Sequence, residues 1–287
     1  MQLRQSLNAA VERLTSGGVP SPRMHAELLI MFTIDCDRAY LYAHPERELT
    51  ADERQRYDEA LARRATGVPA QYITGHQEFW GLDLIVSPAV LIPRPETEHV
   101  VETVLELAKA DGRGRPSPRD LRIVDVGTGS GAVALALAKE LPAAEIHATD
   151  ISPEALEVAR ANAARHELTS RIKFHQLDLL NGLPRGEFDF VVSNPPYVGE
   201  SEEDSVQLEV RKFEPRNAVF AGPSGLEVIE RLIPQAHETL RPGGWLVFEI
   251  SGTIADRVWS RLSNWDEVAI RNDLQRIARV AIARKSR

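Results

Sequence analysis

Hydrophobic positions along this chain change their period twice. Over roughly the first 65 residues they recur at helical spacing. Leu3, Leu7, Ala10, Val11 and Leu14 form one stripe, Ala26, Leu28, Leu29 and Phe32 a second, and Tyr57, Leu61 and Ala62 a third. Gly17-Gly18 supply a stop and Ser21-Pro22 a restart, with Glu27 early in the new helix. Thr50-Ala51-Asp52-Glu53 has the form of a capping box. These signals predict a helical N-terminal domain over residues 1–68, serving either as a stabilising cap or as a docking module for a partner. Between Tyr72 and Ile92 the period shortens. Phe79-Trp80-Gly81-Leu82-Asp83-Leu84-Ile85-Val86 includes strand-type alternation with Gly81 at a turn, which predicts a β-hairpin in a linker over 69–95.

An apolar-periodic helix follows from about Glu98 to Lys109, introduced by Leu91-Ile92-Pro93-Arg94-Pro95-Glu96-Thr97-Glu98. Thr97 with its acidic neighbours reads as ordinary helix capping. Pro-Arg-Pro is stiffer than a cap requires, so Arg94 is either a surface residue or one held over a cleft. Asp111 to Asp120 is rich in Gly, Pro and Arg and reads as a loop. From Leu121 onward strands and helices alternate, the mark of a parallel sheet with crossover helices.

The predicted strands are Leu121–Val126, Glu145–Asp150, Ile172–Gln176, Phe188–Ser193 and Trp245–Ile250, with two more at Val268–Ile270 and Ile277–Ile282. Too few residues separate the last two for a helical crossover, so they pair antiparallel. Helices are expected from Ala132 to Glu140, from a Ser152-Pro153-Glu154 cap through Ala163, and from Gly225 to Leu240. Arg241-Pro242-Gly243-Gly244 reads as the turn into the fifth strand. The fold class is α/β, with the domain over 96–287.

Composition narrows the function classes. A chain of 287 residues suits two domains, or one large domain with an appendage. Its 43% hydrophobic and 26% charged residues are ordinary for a globular protein, which turns attention to local motifs. A net charge of −8 argues against broad binding to nucleic acid. The lone cysteine, Cys36, excludes an internal disulfide and a multi-cysteine zinc site; it reads as a small buried hydrophobe in a reducing compartment. No stretch approaches the ~20 apolar residues of a membrane span, and the N-terminus lacks a signal-type apolar region. A cytoplasmic location is expected, with no metal.

Two motifs carry chemistry. The glycine loop Gly127-Thr128-Gly129-Ser130-Gly131 joins the first strand to its helix, and Asp150 ends the second strand about twenty residues on. Alone, this loop fits a nicotinamide dinucleotide in the looser form of that fingerprint. Asp125 changes the balance, because a carboxylate beside the loop suits a cationic cofactor and repels a pyrophosphate. With Asp178 at the third strand end, the acids match S-adenosylmethionine, which carries a sulfonium, an amino group, a ribose diol and an adenine amine. The second motif is Asn194-Pro195-Pro196-Tyr197, directly after the apolar run Phe188–Ser193. Two prolines stop the strand, fix φ near −65° and remove two donors. What remains is a rigid turn offering an amide, bare carbonyls and an aromatic face to a planar group bearing an amino nitrogen.

Taken together these residues resemble the peptide chain release factor glutamine methyltransferases, the PrmC/HemK family of protein-(glutamine-N5) methyltransferases. The similarity runs through Tyr72-x-x-Gly75, Phe79-x-Gly81, Leu91 through Glu98, Asp125 through Gly131, Asn194 through Tyr197, Glu214-Pro215-Arg216 and the Asp273-Leu274 to Arg276 segment. It implies a seven-stranded, Rossmann-like class I methyltransferase domain behind a helical N-terminal domain. It also implies a methyl transfer from S-adenosylmethionine to the glutamine of the Gly-Gly-Gln loop of class 1 release factors.

Carried over by motif, Gly127, Thr128, Gly129, Ser130, Gly131, Asp150, Asp178, Leu179 and Asn194 would line the cofactor site. Asn194, Pro195 and Tyr197 would be catalytic, and Asn194, Pro195, Pro196, Tyr197, Phe79 and Arg94 would hold the substrate. Two positions depart from the family pattern: Leu179 stands where an aromatic is common, and Ser251 where glycine is usual. The expected partner is the release factor itself, with no stable nucleic-acid binding, no membrane, and a monomeric chain. The Asn-Pro-Pro-Tyr motif also serves DNA adenine-N6 methyltransferases. Against that alternative stand the negative charge, the acidic run Glu200-Ser201-Glu202-Glu203-Asp204 and the lack of a basic recognition segment. A dinucleotide-dependent oxidoreductase lacks its hydride-handling acid and base, and a non-catalytic binding module fits poorly with two intact motifs.

Overall fold

The computed structural model describes residues 1–110 and 121–286; the loop expected over 111–120 lies outside the described residues. Two compact units emerge. The first comprises Met1–His76 together with Gln207–Phe213, and the second Gln77–Val206 with Glu214–Arg287.

The first unit is helical. Helices Leu3–Ser16, Pro22–Ile34 and Ala51–Ala65 pack through Leu3, Leu7, Leu14, Leu29, Ile30, Tyr57 and Leu61, all buried. The Thr50 cap forms as expected, its hydroxyl accepting from Glu53 N at 3.2 Å while Glu53 Oε2 receives Thr50 N at 2.9 Å. Phe32, placed in the apolar stripe by its spacing, is instead 49% exposed. Cys36 is only partly buried, and burial with two nearby aspartates pushes its thiol up.

A two-stranded sheet follows, β1 (His76–Phe79) and β2 (Leu82–Ile85), all but His76 belonging to the second unit. Trp80 and Gly81 between them have φ of 54° and 65°, the left-handed pair of a type I′ turn, which matches the twist of the strands. The main sheet is built from β3 (Arg122–Val126), β4 (Glu145–Asp150), β5 (Ile172–Gln176), β6 (Phe188–Ser193), β9 (Leu240–Glu249), β10 (Asp266–Asn272) and β11 (Ala278–Arg284). A small parallel pair, β7 (Val198–Gly199) and β8 (Phe220–Gly222), stands apart and was not foreseen from the pattern.

The seven strands run in the order β10-β11-β9-β6-β3-β4-β5, parallel from β9 to β5 and antiparallel where β11 enters. The expected seven-stranded α/β sheet is therefore present. Alternate residues of the central strands enter two separate cores. Ile123, Phe190, Val192 and Val247 pack on one face, and Val124, Val191, Leu246 and Phe248 on the other. That double burial is why these strands read as continuous apolar runs.

The fifth strand differs from expectation. It starts at Leu240, and the predicted turn Arg241–Gly244 is a bulge inside it. Leu240 pairs with Phe188 and Trp245 with Phe190, so the four residues between are extruded from the ladder. The preceding helix is correspondingly Glu227–Thr239, shorter than the span Gly225 to Leu240.

Candidate active site

The cleft lies at the carboxyl ends of the central parallel strands, where open α/β sheets gather ligand-binding loops. Its volume is about 580 Å³, within the range of small-molecule sites. Gly127, Thr128, Gly129, Ser130, Asp150, Asp178, Leu179, Asn194 and Pro196 all line it. The structure thus gathers most residues singled out in the sequence.

The glycine loop follows β3 and opens the helix Ala132–Glu140. Gly127 and Gly129 have φ of 69° and 55°, and a Cβ at either would meet nothing within 4 Å. Bare backbone therefore faces the cleft. Gly131, by contrast, is needed for packing: a Cβ there would come within 3.1 Å of Leu135 and 3.3 Å of Ala159. Asp150 fixes the loop, its Oδ2 accepting from Gly129 N at 2.8 Å and its Oδ1 from Ser152 N at 2.9 Å. Burial raises its pKa even so.

Asp125 works differently from the sequence expectation. Rather than standing beside the loop as an open charge, it is 1% exposed, and its Oδ2 accepts from the Thr128 hydroxyl at 2.6 Å and from Ala134 N at 3.2 Å. Burial pushes its carboxyl up to about 7. Its first role is to brace the loop. Asp178 is ion-paired with Arg231, which also lines the cleft. Leu179 adopts φ of 55° beside it, an uncommon conformation for a γ-branched residue.

At the end of β6 the Asn194 amide belongs to a buried chain of hydrogen bonds. Asn194 Nδ2 donates to Thr97 Oγ1 at 3.0 Å, and Thr97 Oγ1 donates to Glu249 Oε2 at 2.6 Å. Tyr197 OH donates to Glu249 Oε1 at 3.0 Å. Glu249 is 1% exposed and burial raises its pKa; Tyr197 is raised too, first by burial and then by the Glu249 charge. Thr97 is therefore no helix cap, because its hydroxyl is committed across the sheet. Thr97 and Glu249 are the functional candidates that motif reading missed.

Other expected residues lie elsewhere. Phe79 is 1% exposed within the hydrophobic core and does not line the cleft, which corrects its assignment as a substrate contact. Pro195 is buried and Tyr197 packs on the second core; neither lines the cleft. Arg94 also stays outside the lining, ion-paired with Glu214, whose Oε2 accepts from Ile92 N at 3.2 Å. Glu214 is thus a brace for the Pro-Arg-Pro segment. Arg216 forms a two-pronged pair with Glu203 at 2.7 and 2.8 Å, which ties down part of the acidic run. Behind the Asn-Pro-Pro-Tyr turn sits Gly225, at φ of 79°. A Cβ there would stand 2.7 Å from the Tyr197 carbonyl oxygen and 2.9 Å from Gly199 N. Among the described residues there is no cluster of acidic, histidine or cysteine side chains able to hold a metal, and no helix long and apolar enough to cross a membrane.

Comparison with known proteins places this arrangement. A family model described as the PrmC N-terminal domain matches residues 5–75, and one described as a methyltransferase small domain matches residues 115–212. A release factor glutamine methyltransferase from Koribacter versatilis is 54% identical, covering 99% of both chains. Another from Moorella thermoacetica is 47% identical over 87% of this chain and 86% of its own. Among solved structures, a methyltransferase from Pyrococcus furiosus shares the fold at 21% identity, with a TM-score of 0.51 over 72% of this chain and 90% of that one. This chain belongs to the release factor glutamine methyltransferase family.

Proposed function

We propose that this enzyme transfers a methyl group from S-adenosyl-L-methionine to the side-chain amide nitrogen of the glutamine in the Gly-Gly-Gln loop of class 1 release factors. It would work in the cytoplasm as a monomer, with the release factor as its protein partner. The cleft fits the cofactor: bare glycine backbone at Gly127 and Gly129 admits a ligand closely, and Asp150, Asp178 and Leu179 supply two acceptors and an apolar wall. When bound, S-adenosylmethionine supplies an electrophilic methyl group on a sulfonium and leaves as S-adenosyl-L-homocysteine.

Asn194 carries this proposal. An amide nitrogen is a feeble nucleophile because its lone pair is delocalised into the carbonyl. The protein must therefore hold both N–H bonds and so aim the nitrogen. Because Asn194 Nδ2 is already bound to Thr97, the amide oxygen Oδ1 is the group left to accept a substrate N–H. The backbone carbonyl of Pro195, a residue otherwise buried, would accept the other, and no proline N–H competes. Catalysis is then positioning and electrostatics: as the nitrogen–methyl bond forms and the sulfur–methyl bond breaks, one amide proton is lost to water.

Radiolabelled methyl transfer to purified release factor, to the same factor with its loop glutamine replaced by alanine, and to duplex DNA provides the test. Label on the first alone supports the assignment. Label on DNA would favour adenine methylation instead, and label on both release factors would exclude the loop glutamine as the acceptor.

A further inference from the structure

The Asn194 side chain could present either its oxygen or its nitrogen to a bound substrate, and only the oxygen suits an amide. What decides between them lies outside the cleft. Thr97 has one hydroxyl proton, and that proton goes to Glu249 at 2.6 Å. Toward Asn194 the same oxygen can then act only as an acceptor, so the 3.0 Å contact must be filled by Nδ2–H. Glu249 in turn accepts from both neighbours, taking Thr97 on Oε2 and Tyr197 on Oε1. With both oxygens engaged as acceptors, Glu249 hands no proton back to Thr97 in this chain of bonds. Burial at 4% exposure for Thr97 and 1% for Glu249 removes water as an alternative partner.

We propose that Thr97, held by Glu249, is the specificity-determining residue that locks Asn194 with its oxygen toward the substrate and so makes the site accept a glutamine carboxamide and reject a glutamate carboxylate. This deepens the methyl-transfer assignment above and rests on it. A glutamine offers two N–H donors to Oδ1 and the Pro195 carbonyl. A glutamate offers only lone pairs, which would face acceptors and leave buried groups unpaired. Released from Thr97, the Asn194 amide can turn over and offer its NH₂ to a carboxylate. Thr97 and Glu249 are positioning residues: neither needs to touch the reacting atoms.

The experiment compares a Gly-Gly-Gln peptide as substrate with a Gly-Gly-Glu peptide as competitor, using wild type, Thr97→Val and Thr97→Ser. Wild type should methylate the first and be inhibited by the second at least ~100-fold more weakly than the first binds, the discrimination expected when a site built for N–H donors meets a ligand lacking them. Thr97→Val keeps the shape and deletes the hydroxyl. It should lose roughly 10- to 100-fold in kcat with little change in KM, and bind the glutamate peptide about tenfold more tightly than wild type. Thr97→Ser should restore most of both. S-adenosylhomocysteine binding by calorimetry checks that each variant is folded.

An unchanged glutamate affinity in folded Thr97→Val would overturn the proposal, as would a Thr97→Ser variant that behaves like the valine. Even without a folded variant, strong inhibition of wild type by the glutamate peptide would overturn it. Failure of wild type to methylate either the peptide or whole release factor would instead strike at the functional assignment itself.

Discussion

Both units of this protein bury polar side chains, but they use them in opposite ways. In the helical unit the buried charges Arg64 and Glu27 are held by ion pairs within that unit. Arg64, 1% exposed, donates to Glu209 Oε2 at 2.7 Å and to the Val68 carbonyl at 3.2 Å. Glu27 receives Arg23 at 3.0 Å, Arg38 at 3.1 Å and Tyr42 OH at 2.5 Å. In the α/β unit the chain from Tyr197 through Glu249 and Thr97 ends on Asn194, in the wall of a cleft. The first kind of network closes on itself and specifies a fold. The second leaves one acceptor pointing outward, and that acceptor is what the chemistry needs.

The sharpest way to break this contrast is Asn194→Ala. It should cut methyl transfer by about 10²–10⁴, the range for losing a preorganised polar group, while S-adenosylmethionine binding stays within about tenfold. Near wild-type turnover would mean that the outward-facing acceptor is not needed. In the helical unit the corresponding removal is Glu209→Ala, which leaves Arg64 buried without its carboxylate. Breaking a fully buried pair costs about 3–5 kcal/mol, and the quarter exposure of Glu209 lowers the expectation to about 2–3 kcal/mol. Hydrogen exchange of the helical unit should register that loss while methyl transfer to a short peptide changes little.

Acidity acts with opposite sign at one buried group in each unit. His25 sits against Arg64 in the helical unit, and burial, aided by the Arg64 charge, holds its pKa at about 4 against an ordinary 6.5. The unfolded chain therefore takes up that proton first, and the stability His25 contributes is lost as pH falls from about 6.5 through 4. Asp125 in the α/β unit is raised from 3.8 to about 7. The folded state there holds the proton, so its contribution is full below about 4 and is lost as pH rises through 7. All four tryptophans, Trp80, Trp245, Trp259 and Trp265, lie in the α/β unit. Tryptophan fluorescence in urea reports that unit, and Asp125→Asn should remove the loss of stability between pH 4 and 7 that this carboxyl causes, against the opposite drift from His147 and His175. Amide exchange in the helical unit should trend the other way. The smallest effect expected is from Thr50→Ala, about 1 kcal/mol for a lost cap, felt by the helical unit and absent from the tryptophan signal.

What the chain disclosed about itself follows the range of the interactions. Features set by neighbours in sequence were legible: the Thr50 and Ser152 caps, the Gly81 turn, and the apolar run of β6 stopped by two prolines. The cleft's glycine loop was legible too, because strand, glycines and helix are contiguous. Thr97 was misread, since a threonine before an acidic helix start looks like a cap, and its true partner Glu249 is 152 residues away. Glu249 itself lay within an apolar strand pattern with nothing local to mark it. Phe79 sat inside a family motif yet serves the core, because a motif records that a residue is constrained without saying by what. The bulge over Arg241–Gly244 carried turn chemistry, and only pairing with Phe188 shows that the strand begins before it.

Gly225 draws out a last consequence. The turn that presents Asn194 rests, at Tyr197 and Gly199, against a residue with no side chain, at a separation that leaves no room for one. Accuracy in the wall of the cleft therefore depends on an atom that is missing outside it. An effort to redirect this enzyme to a new amide by randomising only the residues that line the cleft would leave that dependence in place. Conversely, a single chance replacement at Gly225 would disarm the enzyme while every residue that contacts substrate remained intact.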